Sequence, residues 1–360
     1  MIPVTRPFSP PIAEYQEYLK GIWQRNWYTN NGPLVNELEL QLKQYLKIKH
    51  LLYLGNGTIA IQIALKALEL EGEIITTPFS YVATTSSIVW EGMRPVFVDI
   101  DPETFNIDPK KIEASITDKT TGILATHCFG NPCDIKAIAE IAQRHDLKVI
   151  YDAAHCFGTN FEGKSIFHYG DISTTSLHAT KLFHTIEGGA VFTENPETLR
   201  KMAYMRNFGH AGPETFQGLG INGKNSEFHA AMGLCNLKYI DDILQSRKNQ
   251  AAYYQQYLSK PEIKMQKIQE GSVYNHAYFP IVLENEAMAL NIKKNLEKIE
   301  VFPRRYFFPS LSSLNYVGQI ATPISDDIAS RILCLPMFFE LSEVEQHMIV
   351  RRILRALKYQ

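Results

Sequence analysis

Two side chains in this sequence are of types that do chemistry together. Lys181 stands in Ser176-Leu177-His178-Ala179-Thr180-Lys181, ahead of Glu187-Gly188-Gly189, and Asp152 lies in Val149-Ile150-Tyr151-Asp152-Ala153-Ala154-His155. A lysine amine forms a Schiff base with an aldehyde, and an aspartate keeps a pyridine nitrogen protonated so that the ring withdraws electrons from a carbanion. The pairing therefore predicts pyridoxal phosphate chemistry. Neither residue alone would: a lone lysine is ordinarily a solvated surface residue, and a lone aspartate after an apolar run often belongs to a turn.

A phosphate needs its own cradle, and Gly55-Asn56-Gly57-Thr58 leading into an apolar helix supplies one. Free N–H groups at a helix N-terminus attract a phosphate, and the threonine hydroxyl adds a donor. The same residues also satisfy the loose dinucleotide pattern Gly55-x-Gly57-x-x-Ala60, with Glu71 or Glu73 near the place of a ribose-binding acid. Taken alone, the turn fits a nicotinamide cofactor, another phosphate or a plain tight turn; Lys181 and Asp152 favour the second. Ser176 offers a further hydroxyl, with a capping serine as its structural reading. Tyr81 is a candidate to stack on the ring, with Phe79 as the alternative and as a core residue.

These residues must be held by strands and helices. Short apolar runs at 51–54, 73–77, 95–99, 122–126, 147–151 and 189–193 alternate with helical patterns such as 34–45, 59–68 and 134–145. That alternation predicts a largely parallel sheet covered on both faces. Beyond it lie helical patterns at 227–237, 240–258, 288–299 and 342–357, with an apolar strand at 277–283, the make-up of a small α+β unit. The organisation expected is an N-terminal arm (1–33) with a helix closing on Asn30-Asn31-Gly32-Pro33, a large domain (34–240) and a small C-terminal domain (241–360). With 360 residues and a formal net charge of −2, the acidic and basic residues interspersed, the chain lacks the basic face that nucleic-acid binding requires. Five scattered cysteines form no CxxC pair, which argues for reduced, structural thiols. Without a leader-like segment or a long apolar stretch, the chain is expected to be soluble and cytoplasmic.

Over essentially its whole length the sequence resembles the DegT-type sugar aminotransferases. The resemblance is carried by Thr29-Asn30-Asn31-Gly32-Pro33, Asn56-Gly57-Thr58, Thr77-Pro78-Phe79-Ser80-Tyr81, Pro95-Val96-Phe97-Val98-Asp99, His127-Cys128-Phe129-Gly130-Asn131-Pro132, the Asp152 and Lys181 segments, and Arg304-Arg305-Tyr306-Phe307. It implies the α/β fold type I of pyridoxal phosphate enzymes: a mostly parallel seven-stranded sheet between helices, plus a smaller C-terminal α+β domain. It implies Lys181 as the lysine that holds the cofactor and shuttles a proton, and Asp152 as the partner of the ring nitrogen. Asn56, Gly57, Thr58 and Ser176 would lie at the phosphate, Tyr81 against the ring, and His155 where relatives often carry glutamine near the phenolic oxygen. Asn222 matches a segment that reaches the phosphate of a neighbouring subunit, so a homodimer with a shared site is implied; its plainer reading is a turn residue. Asn31, Lys224, Arg305 and Tyr306 are candidates for substrate contacts.

The same resemblance implies L-glutamate as amino donor, pyridoxamine 5'-phosphate midway, and a nucleotide-linked keto-6-deoxysugar as acceptor. The wording of 27–33 and 178–183 is most similar to the branch acting at C4 of dTDP-4-keto-6-deoxy-D-glucose, on routes to O-antigen and related amino sugars. A 3-keto sugar and UDP- or GDP-sugars are the alternatives. Relatives that remove oxygen carry histidine in place of the lysine, so Lys181 favours transamination. Two other classes complete the expectations: a nicotinamide oxidoreductase using the turn from Gly55 to Ala60, and a non-catalytic regulator, which would require loss of Lys181 or Asp152.

Overall fold

The computed structural model describes residues 1–318 and 320–358. Its centre is a seven-stranded sheet: β1 (Leu51–Leu54), β2 (Glu73–Thr76), β3 (Arg94–Phe97), β4 (Thr120–Thr126), β5 (Lys148–Asp152), β6 (Ile172–Ser176) and β7 (Gly189–Phe192). The spatial order is β1-β7-β6-β5-β4-β2-β3. β7 runs antiparallel to both neighbours and the remaining pairs are parallel, so six strands point the same way.

Strand side chains alternate between faces, and both faces here are buried. Leu51, Tyr53, Ile75, Ile123, Val149, Tyr151 and Phe192 enter one core, whereas Leu52, Leu54, Ile74, Leu124, Ile150 and Val191 enter a second. The first is closed by helices Pro33–Leu46 and Ile135–Arg144, which present Leu34, Leu38 and Leu42, and Ile138 and Ile141. The second is closed by helix Gly57–Ala67 through Ala60, Ile61 and Ala64. One strand escapes a hydropathy reading. β6 reads Ile-Ser-Thr-Thr-Ser, yet its first four residues are buried, because neighbouring carbonyls take the hydroxyl protons: Thr174 donates to Tyr151 at 3.3 Å and Thr175 to Ala153 at 3.0 Å.

A third core surrounds the antiparallel sheet of Ile263–Met265, Phe279–Leu283 and Ile332–Leu335, packed by helices Ile240–Leu258, Glu286–Glu297 and Glu343–Lys358. The chain start belongs here too, since Ile2–Pro3 pairs with Val301–Phe302 and Ile2 is buried in this core. Asp99, just after β3, ties the far end of the chain to the large sheet. Its carboxylate accepts the N–H groups of Ile324 and Ser325, both at 2.9 Å, and so caps helix Pro323–Arg331 from 225 residues away.

The turn at Asn30-Asn31-Gly32-Pro33 is explained by a buried carboxylate. Asn30 and Asn31 take left-handed backbone conformations, and the Glu227 side chain, fully buried, accepts the first-turn amides of Leu34 at 2.9 Å and Val35 at 3.0 Å. Only glycine fits at 32, where a Cβ would come within 2.5 Å of the Glu227 carboxyl carbon. Glu227→Ala strands those two amides in the interior and is expected to cost about 3 kcal/mol. Urea unfolding monitored by circular dichroism measures it; a loss under about 0.5 kcal/mol would show that water replaces the carboxylate freely.

Candidate active site

Because β1, β2, β4, β5 and β6 point the same way, the segments following them emerge at one edge of the sheet, where open α/β sheets bind ligands. A cavity of about 300 Å³ opens there, lined by Asn56, Gly57 and Thr58 after β1, Ser80 and Tyr81 after β2, Thr126 and His127 at the end of β4, Asp152 and His155 at β5, and Ser176 and Lys181 at β6. Nine of the residues expected at the site thus meet: Asn56, Gly57, Thr58, Tyr81, Asp152, His155, Ser176, Lys181 and Tyr306.

The phosphate end is set by the first turn of helix Gly57–Ala67. Asn56 caps that helix, its side chain accepting the Ile59 N–H at 2.8 Å and its carbonyl the Ala60 N–H at 3.2 Å, which leaves the preceding amides of Gly57 and Thr58 for a ligand. A Cβ at position 57 would approach the Ser176 Cβ to 2.9 Å. The turn is therefore built against the lysine's own cavity, and a dinucleotide reading has no separate site here. Gly189 serves the same close packing, since a Cβ there would stand 2.3 Å from the Asn56 carbonyl oxygen.

Lys181 sits at the end of a turn in which its N–H donates to the His178 carbonyl at 2.8 Å. Burial among protein atoms lowers its amine to about 8, the Asp152 charge opposing the fall. Asp152 is 6% exposed. Its Oδ2 accepts the Thr84 hydroxyl at 2.7 Å and its Oδ1 the Ala154 N–H at 3.1 Å. Burial pushes the Asp152 carboxyl up, whereas the Thr84 hydroxyl, the Ala154 amide and the Lys181 charge pull it down. His155 is held well below the ordinary imidazole range by burial and then by Lys181, so it is neutral, and its buried Nδ1 has no partner among the described residues. His127, stacked on Tyr151 at 4.5 Å, accepts the Cys133 N–H on Nδ1 at 2.9 Å. Its proton is therefore on Nε2, which lacks an acceptor among the described residues, and burial takes the ring down to about 3.

Tyr81 and Phe79 separate cleanly: Phe79 is fully buried among Phe105, Phe129 and Phe307, while Tyr81 is 60% exposed at the cavity. Four other expected residues stand outside it. Arg305 Nη2 donates to Glu286 at 2.6 Å and to the Ser330 carbonyl, and the guanidinium lies over the Phe308 ring at 3.6 Å; one nitrogen of the fork is thus engaged, while its buried Nε has no partner among the described residues. Asn222 accepts the Lys224 ammonium at 2.9 Å, and Lys224 lies over the Phe208 ring. Asn31 turns the chain ahead of helix Pro33–Leu46, its buried Oδ1 unpartnered among the described residues. The sequence reading left out Thr84, Ser80, Thr126, Glu187, Tyr278 and Phe307. The first two were visible in Thr77-Pro78-Phe79-Ser80-Tyr81-Val82-Ala83-Thr84, and Phe307 in Arg304-Arg305-Tyr306-Phe307, but nothing local marks Tyr278. All five cysteines are free and buried, and burial raises each thiol, which removes thiolate chemistry near neutral pH. No helix among the described residues is long and apolar enough to cross a membrane.

A covered parallel sheet with a buried amine and carboxylate at its carboxyl edge defines a group-transfer enzyme built on a reactive lysine. Residues 12–354 match the DegT/DnrJ/EryC1/StrS aminotransferase family, and the chain belongs to it. It is 43% identical over 346 residues to the dTDP-4-amino-4,6-dideoxy-D-glucose transaminase of Shigella dysenteriae, covering 94% of each chain. It is 39% identical over 355 residues to the enzyme of the same name from Escherichia coli, covering 95% of each. The solved structure of DesI in the presence of its TDP-sugar product superposes with a TM-score of 0.93 at 30% identity, covering 99% of this chain and 93% of that one.

Proposed function

We propose that this protein moves an amino group from L-glutamate to C4 of dTDP-4-keto-6-deoxy-D-glucose, with pyridoxal 5'-phosphate held at Lys181, and that it works as a homodimer. The observation that carries the reading is the convergence of Lys181, Asp152 and the free Gly57 and Thr58 amides on one cavity. The likeness to two transaminases named for that amino sugar supports the choice of acceptor. The orphaned His155 Nδ1 and the Gly57 and Thr58 amides, which line the same cavity as the Ser176 hydroxyl, fit the cofactor.

When bound, pyridoxal phosphate supplies the electron-withdrawing ring that makes an amino-acid α-proton removable. The chain's part is to bind, orient and move protons. Gly57, Thr58 and Ser176 would hold the phosphate, Asp152 would keep the proton on the ring nitrogen, and the neutral His155 would offer its unpartnered Nδ1 to the cofactor. Tyr81 would cover the ring, and Tyr278 and Phe307 supply apolar lining to the cavity. Lys181, lowered to about 8, takes up and returns a proton near neutral pH, the range in which a general base is efficient. Phe208, Phe216, Leu219 and Ile221 are exposed on the segment leading to Asn222; apolar side chains so placed suit a face covered by a second subunit, which would carry Asn222 to the partner's phosphate.

The test incubates the purified protein with glutamate and a panel of dTDP-, UDP- and GDP-linked 3-keto and 4-keto 6-deoxysugars, with products identified by mass and NMR. A 4-amino-4,6-dideoxyglucose on dTDP is expected; exclusive amination of a 3-keto sugar or of a non-sugar ketone refutes the acceptor. A pH series gives an independent check. Only the neutral amine attacks an aldehyde, so the rate of cofactor capture by the cofactor-free protein should rise with pH and level off above about 8. A midpoint near the ordinary lysine value would show that burial does not act on Lys181.

A further inference from the structure

Beside Asp152 lies a row of buried hydroxyls, two of which, on Ser80 and Thr126, also line the cavity. Thr84 Oγ1 is 2.7 Å from Asp152 Oδ2, Ser80 Oγ is 2.7 Å from Thr84 Oγ1, and Thr126 Oγ1 is 3.0 Å from Ser80 Oγ. We propose that these hydroxyls form a one-way hydrogen-bond chain, Thr126 to Ser80 to Thr84 to Asp152, which keeps the carboxylate ionised and makes Thr84 and Ser80 positioning residues for the cofactor ring nitrogen. The proposal rests on the cofactor reading given above.

Each hydroxyl has one proton to give. An ionised Asp152 only accepts, so Thr84 spends its proton on the carboxylate, must receive one from Ser80, and Ser80 must receive one from Thr126. In this order every proton finds an acceptor. The reverse order, started by a protonated Asp152, would end on a Thr126 hydroxyl that is 4% exposed and has no acceptor beyond Ser80 among the described residues, so that only a group entering the cavity could take its proton, and an unmet buried donor is costly. The geometry therefore selects the direction that leaves the carboxylate charged, and hydrogen bonds aligned head to tail strengthen one another. The titratable groups around Asp152 come from several elements. Burial keeps the Cys156 thiol and the His127 and His155 imidazoles neutral, which leaves the Lys181 amine as the cation facing it among the described residues.

The test loads wild type, Thr84→Val, Thr84→Ser and Ser80→Ala with pyridoxal phosphate carrying ¹⁵N in the ring, then records the ring-nitrogen resonance together with kcat and KM. Thr84→Val should move the resonance toward the unprotonated position and lower kcat about 10- to 100-fold, with KM for the nucleotide sugar little changed. Thr84→Ser should restore both, and Ser80→Ala should shift both in the same direction by less. An unmoved resonance in Thr84→Val refutes the chain even if activity falls, because a merely structural threonine would behave that way; should that variant not fold, an unmoved resonance in Ser80→Ala does so. A wild-type protein that takes up no cofactor overturns the cofactor reading itself and the chain with it.

Discussion

Lys181→Ala should lower kcat/KM by about 10⁴-fold or more, the combined loss of a covalent anchor and of the group that carries the proton. Borohydride reduction should fix the cofactor onto the peptide carrying Lys181 in wild type and onto no peptide in the variant. Lys181→Arg should be equally inactive, since a guanidinium stays charged and cannot take a proton. Folding should not suffer. The amine is lowered from 10.5 to about 8, so burial opposes its charged form. The unfolded chain then binds more protons between those two values, and the stability contributed by this group rises with pH across that window and is lower below it. Removing the lysine lifts that penalty, so the variant's thermal midpoint near pH 7 should equal or exceed that of the cofactor-free wild type. A lower midpoint would mean that the amine has a structural partner, and the activity loss would lose its chemical meaning.

Asp152→Asn is expected to reduce kcat by about 10³-fold, the scale of losing one preorganised electrostatic partner of the reacting system. The amide matches the carboxylate in shape and still accepts the Ala154 N–H, but it carries no charge to hold a proton on the ring nitrogen. KM for the nucleotide sugar should change less than threefold, because the phosphate cradle of Gly57, Thr58 and Ser176 and the sugar-facing side of the cavity are untouched. Stability should remain within about 1 kcal/mol, since burial already works against the charge on this side chain. Steady-state kinetics with varied acceptor, read beside urea unfolding, separate these effects. A kcat within tenfold of wild type would show that the ring works without a charged partner.

Much of the scaffold was legible before any coordinates. The apolar runs at 51–54, 73–77 and 122–126 became β1, β2 and β4, and the helices at 227–237 and 240–258 lie where their periodicity put them. Other elements of the large sheet region were not, β6 and helix Val82–Trp90 among them. β6 was hidden because its hydroxyls resemble a loop until neighbouring carbonyls accept their protons, and helix Val82–Trp90 was hidden because its β-branched Val-Ala-Thr-Thr-Ser-Ser-Ile-Val-Trp is a poor helix former on its own. Arg305 shows the converse limit. Its type suits a diphosphate, but whether its fork is free depends on Glu286 and Ser330, which sequence does not place beside it.

What the amino-acid sequence settled by itself is the chemistry available: an amine at 181, a carboxylate at 152 and a glycine-opened helix start at 57, each legible from a few adjacent residues because turns and caps are local. What only the tertiary structure decided is how those groups behave. The depressed amine of Lys181, the neutral rings of His127 and His155 and the hydroxyl row beside Asp152 arise from burial and from partners far apart in the chain. Desolvation and hydrogen-bond direction are properties of a packed volume, and no stretch of consecutive residues contains them.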